Sequence, residues 1–326
     1  MTAPTDAQMS NAAPFARPKE SRAYRQYEHA LRLAYRAMGL NIGTASVDLG
    51  IPSESAFDVP LEEKLRIGVA AMRTRLKKVN SILVSEFIET PFLKHMVFNG
   101  QGIVIPIVNQ EAVSWYSQSP MLNFDFIIES FHGMHKDIRT VYDIGGHQGV
   151  WALYYSTCIS TGGRVFTFEP SIINIEIAAL SFYINCIDSI NIVPAGVGDD
   201  NLRINSSDEG LLISGPPHNI NLVKPDWIMW ERPDFIKIDI EGYEHEFIKY
   251  MPDVFDFCNN IHLEIHVPHL KARGIDYREI YEKIPFDKLN VHKSVWGNLI
   301  PVGRDDVLED FSTLLVTPKG TGGSAG

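Results

Sequence analysis

Apolar positions change their spacing twice along this chain, and each change predicts a different kind of structure. From Lys19 to Leu40 and from Leu61 to Phe98 they recur every three or four residues, as in Leu65, Val69, Met72, Leu76, Val79 and Leu83, which is the stripe of an amphipathic helix. In MVFNGQGIVIPIVN, Met96 to Asn109, β-branched residues flank Asn99-Gly100, a dipeptide suited to the positive φ angles of a tight turn, so a small hairpin is expected. After about Phe131 strand-like and helix-like runs alternate. Strands are read over 138–143, 165–168, 190–193, 235–240 and 261–265, helices over 151–160, 172–185, 244–251 and 277–284, and closing strands over 289–292 and 312–317. Such alternation predicts a mostly parallel sheet with helices on both faces and ligands at the carboxyl ends of its strands. The expected organisation is a flexible tail over 1–18, a mainly helical region with a hairpin over 19–130, an α/β domain over 131–318 and a flexible tail over 319–326.

Charge and cysteine content narrow the picture. A net charge of -11, with only short basic runs, argues against nucleic acid as a partner, because phosphate binding draws on clustered Lys and Arg. Cys158, Cys186 and Cys258 are widely spaced and odd in number, which fits neither a disulfide framework nor a Cys-x-x-Cys metal site. The N-terminus shows no basic segment followed by an apolar one, and no run of about 20 apolar residues suggests a membrane span. A soluble protein of the reducing cytoplasm is expected.

Candidate chemistry begins in VYDIGGHQGVW, Val141 to Trp151, at a strand end that opens a helix. Asp143, Gly145 and Gly149 form D-x-G-x-x-x-G, and glycines there allow a sharp turn and close approach to a ligand. A dinucleotide fingerprint fails, since His147 and Val150 stand where the second and third glycines of G-x-G-x-x-G belong. A carboxylate at the lip of the loop would repel a pyrophosphate and attract an ammonium group. The next strand ends in VFTFEP with Glu169, placed as an acid that meets ribose hydroxyls. The third ends in PAGVGDD, whose small residues Ala195 to Val197 suit an adenine ring.

The fourth strand, FIKIDIEGYEHE, carries Lys237, Asp239 and Glu241 in alternation, which places all three on one side if the strand runs straight through. Buried ionisable groups are costly unless paired or functional. The fifth strand ends in HLEIHVPH, with His262, Glu264 and His266 on one face. They could supply a general base or, with Asp239, a divalent metal site, although spacing alone assigns no metal ligand.

Taken in order, VYDIGGHQGVW, VFTFEPS, PAGVGDD, FIKIDIEGYEHE and HLEIH resemble the FkbM family of S-adenosylmethionine-dependent methyltransferases over roughly Thr140 to His266. The resemblance implies a class I, Rossmann-like, seven-stranded α/β fold and methyl transfer to a hydroxyl on a sugar, polyketide or other small metabolite. It implies Asp143, Gly145 and Gly149 at the methionine end of S-adenosylmethionine, Glu169 on its ribose and Asp239 near the reacting methyl group. Gly146, His147, Pro170, Ser171, Ala195 and Val197 are the further expected cofactor contacts. Two departures stand out: His147 replaces a common Asn, and NINLVKPDWIMWERPD replaces the T-L-D-D expected before the fourth strand.

Methyl transfer to oxygen needs an aligned acceptor and a group that takes its proton. The candidate bases, in order, are His266, Asp239, Glu264 and His147, imidazole leading because its ordinary pKa lies near neutrality. The N-terminal region, with aromatic residues Trp115, Tyr116, Phe124 and Phe126, would suit an acceptor cover or a homodimer interface. The competing expectation is a methyltransferase-like module that binds without catalysis.

Overall fold

The computed structural model describes residues 16–37, 59–79, 84–85, 87–117, 138–198, 204–205, 219–220, 222–228, 231–258, 260–295 and 298–319. Two helices, α1 (Ala16–Ala37) and α2 (Leu61–Val79), precede an antiparallel hairpin of β1 (Phe87–Phe98) and β2 (Gln101–Asn109). Asn99 and Gly100, at φ 47° and 74°, close it. The helical spacing read from Leu61 to Phe98 therefore ends at Val79, and the second half of that stretch is strand. Cross-strand pairing decides it: Phe92 lies opposite Ile107 and Lys94 opposite Ile105, and such partners outweigh a spacing that a short run shares with a helix. The register shifts between Phe87 and Phe92, where Pro91 has no N–H to give the ladder.

β2 runs into one turn of helix, α3 (Gln110–Ala112), capped by the Asn109 side chain, and then into a π-helical turn, Val113–Ser117. The α/β alternation follows. Its strands are β3 (Thr140–Ile144), β4 (Arg164–Phe168), β5 (Ile190–Val193), β6 (Phe235–Ile238), β7 (Ile261–His266), β8 (Leu289–Val295), β9 (Asn298–Pro301) and β10 (Phe311–Pro318). They form one sheet in the order β9-β8-β10-β7-β6-β3-β4-β5, parallel from β5 to β7 and antiparallel beyond. The sheet thus has eight strands where seven were expected. The extra one, β9, folds back on β8 at an exposed edge, where its Pro301 is tolerated.

Helices α4 (Val150–Cys158) and α5 (Ile172–Ile184) follow β3 and β4, and α6 (Pro225–Ile228) precedes β6. Helices α7 (Glu244–Tyr250), α8 (Val254–Phe257), α9 (Val267–Ala272) and α10 (Arg278–Tyr281) line the β6 and β7 side. Strand order reverses between β3 and β6, the crevice where ligands of such sheets bind.

Every residue of α5 is buried, and a helix that is buried all round needs cover on both sides. The sheet covers one side. On the other, Tyr27, Leu31 and Tyr35 of α1 and Leu65, Met72 and Leu76 of α2 pack with Ile173, Leu180 and Ile184. The hairpin adds Phe98, Ile103, Ile105 and Ile107 against Leu153, Tyr154 and Phe182. Among the described residues no helix is long and apolar enough to cross a membrane.

Candidate functional site

The glycine loop joins β3 to α4. Gly145 and Gly149 have φ 83° and 79°, where a side chain is strained. Space also demands glycine: a Cβ on Gly145 would lie 1.7 Å from the Asp239 carbonyl oxygen, and one on Gly149 2.5 Å from the Phe182 ring. The obstacles are neighbouring chain, so the ligand-approach argument for these glycines gives way to a packing one. Gly146, likewise, has Thr167 Oγ1 where its Cβ would be. The N–H groups of Gly145 and Gly146 donate to the Phe168 carbonyl at 3.0 and 2.9 Å, and that of His147 donates to Glu169 Oε2 at 2.8 Å. With these donors spent inside the protein, they form no phosphate cradle.

Asp143 lies beneath the loop and not at its lip. It is fully buried, accepts a 2.9 Å hydrogen bond from Thr167 Oγ1 and sits 3.5 Å from Lys237 Nζ. Sheet register explains the grouping, because Thr167, Asp143, Lys237 and His262 are neighbours across β4, β3, β6 and β7. Burial pushes the Asp143 carboxyl up, outweighing the pull of Lys237. Lys237 also reaches Asp239 Oδ2 at 3.0 Å and the Gly145 carbonyl at 3.1 Å. Burial would lower its pKa, but Asp239 and Asp143 hold the ammonium above its usual range.

Glu169, at the end of β4, is held by the loop on one side and by α5 on the other: Oε1 accepts from Ser171 N at 2.7 Å and from Asn174 Nδ2 at 3.4 Å. Each carboxylate oxygen can accept again, so ribose hydroxyls remain compatible with this arrangement. Ser171 is buried at the N-cap of α5 and Pro170 is half-buried before it. Ala195 and Val197, just past β5, are buried, and Val197 pairs with Val223. The ends of β3, β4 and β5 therefore set loop, acid and small residues side by side.

Across the crevice, β6 stops at Ile238. The straight strand expected through Glu241 does not form: Glu241 and Gly242 turn with φ 53° and 97°, and a non-glycine residue held there costs about 1–3 kcal/mol. The turn nonetheless brings Glu241 back to its neighbours. His266 Nε2 lies 3.6 Å from Asp239 Oδ1, 3.3 Å from Glu241 Oε2 and 3.6 Å from Glu264 Oε2. On its far side, Nδ1 is 2.8 Å from Oε1 of the fully buried Glu244, which also accepts from Gly242 N at 3.0 Å. His269 stacks on His266, and Phe311 meets both rings edge-on.

Crowding of like charge sets the protonation. Burial and Asp239 push Glu264 up to about 8, and burial lifts Glu241 to about 7. Burial works against the His266 cation, yet Glu244 and the other carboxylates raise its pKa to about 9. The reason for ranking His266 first among the bases, an unperturbed imidazole, does not carry over to this surrounding. Asp239 stays below its ordinary value because Lys237 and His266 overcome its burial. His262 shares the face but stands deeper, against Trp151, with neither ring nitrogen hydrogen-bonded, and burial pushes it down to about 3.

His147 belongs to a separate group. Its Nδ1 is 2.5 Å from the Tyr116 hydroxyl and its Nε2 is 3.2 Å from Glu111 Oε2, so the π-helical turn and α3 are tied to the glycine loop. Gln148 reaches Asn109 and Glu111 from the same loop. Of the aromatic cluster, Trp115 is exposed beside Tyr116, whereas Phe124 and Phe126 lie outside the described residues. Sequence reasoning did not single out Glu111 or Glu244. Glu244 had a signal, an acid two positions past the glycine of E-G-x-E; Glu111 had none, since its partner is distant in the chain.

Residues 143–290 match the sequence profile described as methyltransferase FkbM domain. Over that segment the chain is similar to a methyltransferase FkbM domain. The match runs from the buried acid of β3 into β8, within a Rossmann-like α/β sheet. No curated protein matches the sequence. Among solved structures, the chain is similar to methyltransferase FkbM from Methylobacillus flagellatus KT, with 20% identity, TM-score 0.36 and coverage of 56% of this chain. The match spans 45% of that protein, less than half its length. It is also similar to an O-methyltransferase from Bacillus cereus in complex with SAH, with 15% identity, TM-score 0.37 and coverage of 64% of this chain and 86% of that one. A third is the T. thermophilus 16S rRNA N2 G1207 methyltransferase in complex with AdoMet and guanosine, with 11% identity, TM-score 0.40 and coverage of 71% and 52%.

Proposed function

We propose that this protein is an S-adenosylmethionine-dependent methyltransferase acting on a hydroxyl oxygen of a sugar, polyketide or other small metabolite. The observation that carries the reading is the convergence of the glycine loop, Glu169 and Asp239 at the carboxyl ends of three parallel strands, with the N–H groups of Gly145, Gly146 and His147 already bonded inside. Those donors leave no phosphate cradle, while the acids suit a cation.

Gly145, Gly146, His147 and Gly149 would shape the methionine end of the cofactor site, with Asp143 supplying negative charge from below. Glu169, Pro170 and Ser171 would face the ribose, and Ala195 and Val197 the adenine. When bound, S-adenosylmethionine supplies an electrophilic methyl group on a positively charged sulfur. The chain's own task is to align the acceptor oxygen and take its proton. Asp239, Glu264 and His266 form the group into which that proton passes. Glu264, with its side chain 29% exposed and its pKa near 8, is the member both open to an acceptor and basic. The carboxylates at this mouth also repel a phosphodiester backbone, which favours a small acceptor over nucleic acid.

Calorimetric titration with S-adenosylmethionine and, separately, with NAD tests the reading. Saturable binding of S-adenosylmethionine alone, weakened at least tenfold by Glu169→Ala, is expected. Binding of NAD, or of neither ligand, would overturn it.

A further inference from the structure

His266 Nε2 faces three carboxylates and closes a short hydrogen bond with none of them. Each of the three carboxylate oxygens facing it stands 3.3 to 3.6 Å away. A charge-assisted N–H···O bond would draw one of them in to about 2.7–2.9 Å. Ligands that share one cation at about 2.1 Å, with angles between about 90° and 120°, stand roughly 3.0–3.6 Å from one another. One donor atom each from Asp239, Glu241 and His266 lie mutually within 4.8 Å.

A second observation comes from behind the ring. Glu244 is fully buried and accepts the Nδ1–H of His266 at 2.8 Å, which orients the ring so that Nε2 points at the carboxylates. When that nitrogen gives up its proton, a cation can take the proton's place among the acids, and a buried carboxylate behind a ligating imidazole is the usual means of orienting it. His266 is only 3% exposed, whereas the carboxylates facing it are reached by solvent. Lys237 is already taken by Asp143, Asp239 and the Gly145 carbonyl.

We propose that Asp239, Glu241 and His266 bind a divalent transition-metal ion, Mn²⁺ or Zn²⁺, with Glu244 as the residue that positions the imidazole. One nitrogen among oxygen donors favours such ions over Mg²⁺ and Ca²⁺, which prefer oxygen ligands throughout. Glu264 lies outside this ligand set and remains free to take a proton. If the methyl-transfer reading holds, on which this part of the inference rests, the ion holds the acceptor oxygen and makes its proton easier to remove.

The test is a titration of the EDTA-treated full chain with MnCl₂, followed by electron paramagnetic resonance and calorimetry, and repeated with ZnCl₂, without S-adenosylmethionine. One ion per chain is expected. Glu241→Gln and His266→Gln should each weaken uptake at least tenfold, Glu244→Gln by about 10–100-fold, and the exposed Glu282→Gln not at all. Near-UV circular dichroism identifies any variant that has lost its fold, and Glu241→Gln, at a surface turn, is the variant chosen to keep it. Absence of Mn²⁺ and Zn²⁺ uptake by the wild type, or wild-type affinity in folded Glu241→Gln and His266→Gln, overturns the proposal. Because the cofactor is absent from these titrations, failure of S-adenosylmethionine binding would overturn the methyltransferase reading and leave this result standing.

Discussion

Two groups of charges are buried in this protein, and they are built differently. Between α2 and α5, Arg75 grips Glu176 through two hydrogen bonds of 2.7 and 2.6 Å, and the Tyr35 hydroxyl adds a third at 2.7 Å. One cation meets one anion. At the ends of β3, β6 and β7, Asp143, Asp239, Glu241, Glu244 and Glu264 crowd around Lys237, His266 and His269, at looser distances for all but the 2.8 Å contact of His266 with Glu244. The first arrangement is complete within the chain and fixes how the N-terminal helices sit on α5. The second keeps an excess of negative charge, which costs stability and is sustained where a cationic guest completes it.

The largest expected effect separates the two groups by stability. Glu176→Leu, which leaves Arg75 buried and unpaired, should cost about 3–5 kcal/mol in urea unfolding, with S-adenosylmethionine affinity unchanged in the folded fraction. Glu264→Gln should do the reverse, lowering turnover by roughly 10²-fold or more while leaving the unfolding midpoint the same or higher, since it removes a repulsive charge. Comparable destabilisation in both variants would erase the distinction.

A smaller effect depends on pH. His262 is held near 3, below the ordinary histidine value, so as pH falls the unfolded chain takes up a proton that the folded one refuses. Wild-type stability should therefore decline by about 2 kcal/mol more than that of His262→Phe between pH 7 and pH 5. Equal slopes in urea titrations at the two pH values would refute this placement. The smallest effect concerns the bridge to the N-terminal region: Tyr116→Phe removes one hydrogen bond to His147 and should weaken S-adenosylmethionine binding by about 1 kcal/mol, less than tenfold, in calorimetry.

Much of the α/β alternation was legible because buried parallel strands and their glycine loop write continuous local patterns, as in VYDIGG and FIKIDI. β9 was not, being four residues at an edge with no apolar face of its own. The strand at Phe87–Phe98 was misread because its three-and-four spacing fits a helix until β2 pairs with it. In the site, Asp143, Lys237 and His262 fall in one row by sheet register, which alternation anticipates within a strand but not across strands. Asp143 was expected at the lip, yet it is a buried residue inside β3, one position before the strand's end, and so lies below the loop. The meeting of Tyr116 and Glu111 with His147 depends on how the hairpin docks, and no local pattern encodes that.

The all-round burial of α5 has a consequence for modularity. The segment recognisable as a methyltransferase begins at Asp143, but the outer face of α5, with Ile173, Leu180 and Ile184, is closed by chain that precedes it. A fragment cut at that boundary would carry an uncovered greasy stripe and an orphaned Glu176, and should clump when expressed alone. The unit that evolution labels and the unit that can stand by itself in water are, in this protein, different lengths of chain.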